Sequence, residues 1–490
     1  MNLILLIPVL FPVLAGAVMP LLKLDKDRTM RQIYVTAIVV VNFILVLFTA
    51  FMGNAEFRGF HVAPGIDFLL KVDGVSRLFT VLASVLWICA TIYTFEYIKH
   101  EGKDVRFFSF FLMTIGILVG LGMAGNFFTL YLFYELMTVI TYPLVIHSEN
   151  DVSMEAGTKY LMYSFFGAAF ALIGMGFMSY FGLGADFKAG GILDMAKAQG
   201  HETLLLVVFF LTFLGFGCKA GMWPLHAWLP TAHPVAPAPA SALLSGVITK
   251  GGVVALIRVT YYLFGVDFVR GTWAHTTLTI MALFTVFMGS MLAYKEKLFK
   301  RRLAYSSVSQ VSYVVYGLTL MNPIGFLGAM LHIVCHAVIK NVLFLSAGAV
   351  IYKTGKTYVY ELKGIGKRMP IVMWCFTLAS LALVGIPPTA GVVSKWYLAM
   401  GGIGSGHPIL GKIGAGTLLI SALLTGGYLI TIFVSAFFPG NDFDYEHLES
   451  AEPNRYMTIP LVFLAILCVV IGMFPAPLIN FFNGIAATIF

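Results

Sequence analysis

An all-α, polytopic membrane protein is the fold class that the sequence predicts, and three observations predict it. Of its 490 residues, 59% are hydrophobic and 11% charged, with a mean hydropathy of +0.90, whereas soluble domains carry charge on about a quarter of their residues. The apolar runs are about 20 residues long, enough to cross a bilayer as helices and far longer than the ~10 alternating residues of a barrel strand. Two runs, the seventh and the twelfth, are interrupted in the same manner, at "GMWPLHAWLPTAHP" and "LVGIPPTAGVVSKW". They lie five spans apart, an odd step, so they cross in opposite directions, the pattern of an inverted repeat with discontinuous helices at its centre.

About fourteen spans are expected on this reading. The first, 2–22, lacks the basic start of a cleaved signal peptide and is long enough to cross, so it is read as a retained helix. Apolar runs at 32–53 and 74–98 follow, bounded by the basic loops "KLDKDRTMR" and "KHEGKDVR". The next four runs are 107–124, 127–147, which carries Glu135, 159–183, and 203–230, which carries Lys219 and the first break at Pro224. Lys250 lies in 239–265; 274–294 ends at "KEKLFKRR"; 303–320 and 324–352 follow, the latter with His332, His336 and Lys340. The run 371–400 contains the second break, at Pro387, and Lys395, and 413–438 and 456–482 complete the series. The longest loops, near 54–73, 184–202 and 440–455, are too modest for a further domain.

The net charge of +8 is topological rather than a nucleic-acid footprint, because the basic residues lie in short loops and form no stripe beside exposed aromatics. They collect in loops after odd-numbered spans, about 19 against about 6 on the other side, which puts that face in the cytoplasm and both termini outside. Cys89, Cys218, Cys335, Cys375 and Cys468 stand singly in apolar runs and read as packing residues.

Charges inside the spans carry the functional argument, since each costs about 2.5–3.5 kcal/mol on insertion scales and marks an ion or proton path when it faces a wet interior. They are Glu135, Lys219, Lys250, Lys340 and Lys395, with His226, His233, His332 and His336 beside them. Glu135 is read either as half of a structural ion pair or as the partner that switches Lys219 between holding and releasing a proton. His332, His336 and Lys340 recur every fourth residue and line one helix face. Histidine relays protons near neutral pH; a metal site is the rival reading, without the HExxH glutamate or a carboxylate cluster to support it. Proline at a break frees carbonyls that need protein or water as partners, so Pro224 is expected to open the seventh helix and bring water, His226 and His233 to the Lys219 ammonium. Nothing in the sequence signals flavin, haem, iron–sulfur cluster or nucleotide binding, so no cofactor is expected in this chain.

The stretches "GCKAGMWPLHAWLPTAHPVAPAPASALLSGVITKGGVVALIRV", "KRRLAYSSVSQVSYVVYG", "DGVSRLFTVLAS" and "GIPPTAGVVSKW" strongly resemble the antiporter-like subunits of respiratory complex I, Mrp-type Na+/H+ antiporters and membrane-bound hydrogenases. The resemblance implies two inverted five-helix repeats, 107–265 and 266–438, between N-terminal helices in 1–106 and a last helix in 439–490. It implies Glu135 and Lys219 as the switch, Lys250 as the bridging lysine, His332 and His336 as relays and Lys395 as the terminal residue near the exit. Lys395 stands where some complex I members carry glutamate; with the chain's length, it makes the sequence look most like an Mrp D-type subunit or its hydrogenase counterpart. The implied partners are other membrane subunits, the lipid bilayer and protons, with Na+ left open. A self-sufficient transporter for a small solute is the alternative, opposed by the absence of an organic-substrate site; Arg258 is the one arginine well inside a late span.

Overall fold

The computed structural model describes residues 2–63, 66–405, 408–440, 443 and 449–490. Part of the loop expected at 440–455 therefore lies outside the described residues. Among the described residues fourteen helical spans follow one another: Leu3–Leu22, Arg28–Phe51, Gly74–Glu101, Asp104–Gly122, Phe127–Val145, Asp151–Phe181, Glu202–Ala220 continued by Leu229–Val235, Ala238–Phe264, Trp273–Lys295, Phe299–Thr319, Pro323–Thr354, Pro370–Val384 continued by Ala390–Ile403, Pro408–Phe437, and Arg455–Met473. They are numbered here as the first to the fourteenth span. The sequence-based limits hold to a few residues, with two exceptions. The sixth span already begins at Asp151, and the last stops at Met473; Pro475 then starts a separate helix, Ala476–Ile489.

Two departures from the expected pattern are local. The loop at 54–73 contains an antiparallel hairpin, Glu56–Ala63 with Ile66–Lys71, pairing Glu56 with Lys71 and Phe57 with Leu70. Its alternation of apolar and polar residues is short and is outweighed by the stronger helical runs around it. The tenth span is apolar by position rather than by composition: Ser306, Ser307, Ser309, Gln310 and Ser312 are all completely buried in it. Hydropathy by itself misses this span and the broken twelfth.

The spans differ in what covers them. In the eighth and eleventh the most apolar windows are 100% buried, against 33% in the first two, so the former are the core and the latter face lipid. Close approach of the eighth span to the seventh depends on Gly252, where a Cβ would stand 2.7 Å from Lys219 Cβ and 2.9 Å from the Ala220 nitrogen. Arg258, the late arginine, is buried and donates to both Asp73 carboxylate oxygens, at 2.5 and 2.9 Å. Asp73 in turn caps the third span by accepting from the Ser76 N–H. The pair therefore ties the end of the eighth span to the start of the third, and Arg258 has a structural partner rather than a substrate.

Both broken spans stop at a glycine with positive φ, Gly221 (+78°) and Gly385 (+94°), a backbone region that costs a side chain but not glycine. Trp223–Pro224 and Pro387–Pro388 are cis peptides just beyond. The break at 221–228 is closed by Trp228, whose Nε1 donates at 2.8 Å to the Cys218 carbonyl, which also accepts the Gly221 N–H.

Candidate functional site

Lys219 lies in the last turn before the seventh span breaks, fully buried. Its ammonium donates to Tyr160 Oη at 2.8 Å and Ser164 Oγ at 2.7 Å, both on the sixth span, and sits 4.1 Å from the Tyr160 ring centroid. Tyr160 continues the network to Thr141 Oγ1 at 2.6 Å. Glu135 is half-buried and makes no ion pair with Lys219 within 4.0 Å; its polar neighbour is Tyr131, one helical turn earlier, and Lys219 is the charge it faces. The expected direct pair is therefore a separated one.

Lys250 follows a π-helical segment, Leu244–Ile248, in the eighth span. Its amine donates to the Ser245 carbonyl at 2.5 Å and lies 2.5 Å from His336 Nδ1 on the eleventh span. Two nitrogens at that separation need one donor and one lone pair, so one of the two donates an N–H to the other. The His332 ring stacks beside His336 with centroids 6.0 Å apart, and its Nδ1 reaches Ser394 Oγ at 2.9 Å on the second half of the twelfth span. One helix face thus carries the line from the eighth span to the twelfth. The two histidines spend their Nδ1 atoms on different partners, and among the described residues no three His, Cys, Asp or Glu side chains converge as metal ligands.

Lys395 stands one residue after Ser394, and its ammonium donates to the Leu383 and Val384 carbonyls at 2.6 and 3.0 Å. These are carbonyls that the break after Val384 deprives of helical partners. The break near Pro387 therefore places Lys395 at the end of the line. The Tyr313 ring lies against both His332 (5.3 Å between centroids) and the Lys395 ammonium (5.2 Å).

Three expected residues are placed differently from the sequence reading. His226 is half-buried beside Lys159 and does not bond Lys219. His233 is completely buried, stacks on Phe344 at 4.7 Å, leaves both ring nitrogens without a partner among the described residues, and faces Lys300, Lys340 and Lys250 instead of Lys219. Lys340 shares the helix face of His336 but turns its ammonium to the tenth span, donating to the Leu303 carbonyl at 3.0 Å and to Ser306 Oγ. The Pro224 break thus brings Trp228, not histidines, next to Lys219.

Sequence reasoning misses two contributors. It leaves Lys300 in a loop, yet Lys300 is buried in the first turn of the tenth span and donates to the Pro234 and Ala236 carbonyls at 3.2 and 2.5 Å. The serines of the tenth span join others across the bundle: Ser307 meets Ser245 at 2.7 Å, and Ser309 meets Ser290 at 2.8 Å, which reaches Ser421 at 2.6 Å. Their signal is present in "AYSSVSQVSY", too polar for a lipid-facing helix and hence legible as a buried one.

The sequence profile of the NADH:quinone oxidoreductase/Mrp antiporter transmembrane family matches residues 124–421. The chain belongs to this family. The match runs from the fifth span into the thirteenth and so contains every residue of the line described above. The N-type subunit of the NADH-quinone oxidoreductase of Desulforudis audaxviator (strain MP104C) is 32% identical over 427 residues, covering 84% of this chain and 83% of that protein. The D-type subunit of the Na(+)/H(+) antiporter of Bacillus subtilis (strain 168) is 26% identical over 488 residues, covering 96% and 93%. Among solved structures, a chain of the membrane-bound sulfane sulfur reductase, an archaeal respiratory membrane complex, superposes with a TM-score of 0.86 over 100% of this chain and 98% of its own, at 22% identity. This member of the antiporter-like family is a multi-pass membrane protein.

Proposed function

We propose that the chain is a proton-translocating, antiporter-like subunit of a multisubunit membrane complex. The observation that carries this reading is the Lys250–His336 contact: a buried amine and a buried imidazole stand within hydrogen-bond distance at the junction of two spans, with no carboxylate in an ion pair with either among the described residues. A structural role would call for a counter-ion; two titratable bases in hydrogen-bond contact form a route for proton transfer. Protons enter the first half at Glu135 and Lys219 and leave through His332, Ser394 and Lys395. Residues 107–265 and 266–438 act as the two halves, flanked by 1–106 and 439–490. The chain carries no cofactor of its own; where its complex performs redox chemistry, other subunits supply it. Both relatives described above are, by name, subunits of larger complexes, and this supports partner membrane subunits over a self-sufficient transporter. The near full-length match to the antiporter's D-type subunit fits an Mrp-type assembly, in which Na+ is the second cation, while the higher identity to the oxidoreductase's N-type subunit fits a complex I or hydrogenase type. A nickel–iron hydrogenase gene beside this one, or only small Mrp-type subunits, distinguishes them.

The test is proton translocation by vesicles holding the assembled complex. Lys250→Met keeps the volume and removes the proton site; translocation is expected to fall by about a hundredfold or more, the scale of losing a positioned acid–base group, at unchanged complex yield. Wild-type rates would refute the reading.

The lysine-rich face is assigned to the cytoplasm and both termini to the outside. Because Lys300 and Arg302 are buried, the informative probes are the exposed Lys297 and Lys367. Cysteines placed there are expected to resist an impermeant thiol reagent in intact cells and react after permeabilisation. Reaction at both without permeabilisation reverses the orientation.

A further inference from the structure

On the lysine-rich face the bundle encloses a cavity of about 470 Å³ that the proton line does not use. Two loops build its wall together. The Phe299 N–H at the start of the tenth span donates to the Thr357 carbonyl at 2.9 Å, and the Val359 N–H returns to the Lys297 carbonyl at 2.9 Å. The Gly364 N–H then ties the second loop to the Ser435 carbonyl of the thirteenth span at 3.1 Å. This bracing brings three cations, Lys297, Arg302 and Lys363, to one cavity. Arg302 is buried, with Nε donating to the Glu296 carbonyl at 2.8 Å and Nη1 to the Tyr428 carbonyl at 3.1 Å, which leaves Nη2 without a protein partner among the described residues. Lys297 and Lys363 are exposed, and none of the three makes an ion pair among the described residues. The carboxylates carried by the two loops are occupied by backbone. Glu296 accepts the Lys297 and Leu298 N–H groups at 2.8 and 2.9 Å, and Glu361 accepts those of Thr357 and Tyr358 at 3.0 and 2.8 Å. Three positive charges thus line the cavity with no carboxylate among its described lining residues.

We propose that this cavity binds the phosphodiester headgroup of an anionic membrane lipid. A phosphate offers several oxygens to donors arriving from different sides. Arg302, fixed by its two carbonyl bonds, has Nη2 left for one of them, and Lys297 and Lys363 supply the remaining charge. The Thr431 and Ser435 hydroxyls also line the cavity; each donates to a carbonyl of its own helix and is free to rotate toward a phosphate oxygen. The rim identifies the source as a lipid rather than a soluble phosphate. Tyr360 is 68% and Phe438 75% exposed, and Val434, one turn before Phe438 on the thirteenth span, is exposed as well. A soluble anion makes no use of such a rim, whereas acyl chains lie along it, with tyrosine at headgroup level. Basic pockets between membrane helices on the cytoplasmic side take anionic headgroups, and that is the side assigned above to this face. The headgroup would join the starts and ends of three spans whose cations repel one another without it. None of the three cations belongs to the proton line, so the inference stands apart from that reading.

The assembled complex in vesicles of equal parts phosphatidylcholine and phosphatidylglycerol tests this, with a phosphatidylglycerol probe that carries a photoactivatable diazirine beside its headgroup. Label is expected on the peptides holding 297–302, 359–363 and 431–439, about tenfold or more above that from the same probe built on zwitterionic phosphatidylcholine, because each cation near the surface favours an anionic lipid severalfold. Lys297→Gln with Lys363→Gln removes two exposed side chains that make no bond among the described residues. It is expected to lower that labelling about tenfold at unchanged complex yield, whereas Lys297→Arg with Lys363→Arg retains it. Equal labelling by the two probes, or wild-type labelling in the glutamine variant, would overturn the site. Soluble glycerol phosphate is expected to leave the labelling unchanged; displacement by it would overturn the lipid assignment and make this a site for free phosphate compounds. The readout is lipid contact, so its outcome does not depend on whether the chain moves protons.

Discussion

Lys219→Ala will assemble normally and translocate no protons, whatever stands at position 135. The ammonium is held by two hydroxyls and an aromatic face, Tyr160, Ser164 and the Tyr160 ring, all of which hold a cation without adding negative charge. Alanine removes the amine of that pocket and leaves its hydroxyls free to bond one another, so folding is spared while the proton site is lost. Glu135 acts differently, because it lies beyond 4.0 Å. At an effective dielectric of about 20, a carboxylate at that range attracts the ammonium with less than about 4 kcal/mol, and Glu135→Gln is expected to slow translocation about tenfold, equivalent to about 1.4 kcal/mol, rather than abolish it. Glu135→Asp, with the charge on a shorter arm, falls between. A purely structural ion pair predicts the reverse pattern: poor assembly of each single variant, and recovery of both assembly and transport in Glu135→Gln with Lys219→Met. Transport in that double variant would refute the switch, since methionine carries no proton.

Lys395→Ala will abolish coupled translocation at unchanged complex yield. The side chain ends the line, next to Ser394, which bonds His332, and its ammonium is the partner of two carbonyls freed by the helix break. Removing it leaves those carbonyls unpaired, at a cost of about 1–3 kcal/mol each when buried; Lys395 is only partly exposed at the residue level, so some of that cost is met by solvent. Lys395→Glu keeps a titratable group but can donate to only one carbonyl, and only while protonated. About a tenth of wild-type translocation is therefore expected, a loss at the low end for an impaired acid–base group. Full activity in Lys395→Ala would make the lysine an anchor for the break and move the end of the line elsewhere. Measuring complex yield beside translocation separates the two, because an anchor affects yield first.

The sequence by itself determined that the chain spans the membrane many times as helices, which two runs are broken, and which bases lie within the apolar runs. Those properties are local: hydropathy, a proline beside a glycine, or a histidine four residues from another is read within one helix. The inward face of His332 and His336 followed from helical periodicity and is where the structure puts it. What only the tertiary structure decided is pairing. Lys250 meets His336 across 86 positions of chain, Lys340 turns to the tenth span, His233 faces Lys300 instead of Lys219, and Glu135 stands apart from its expected partner. Lys300 passes for a loop residue because the helix starts at Phe299, one residue before it, and a run of basic and apolar residues at a helix end has no hydropathic signature of burial. Each of these outcomes depends on how far one helix is rotated and slid against another. That rotation is fixed by packing, as at Gly252 against Lys219, where the absence of a single Cβ sets the approach of two spans, and such contacts between distant segments are not written in the periodicity of either.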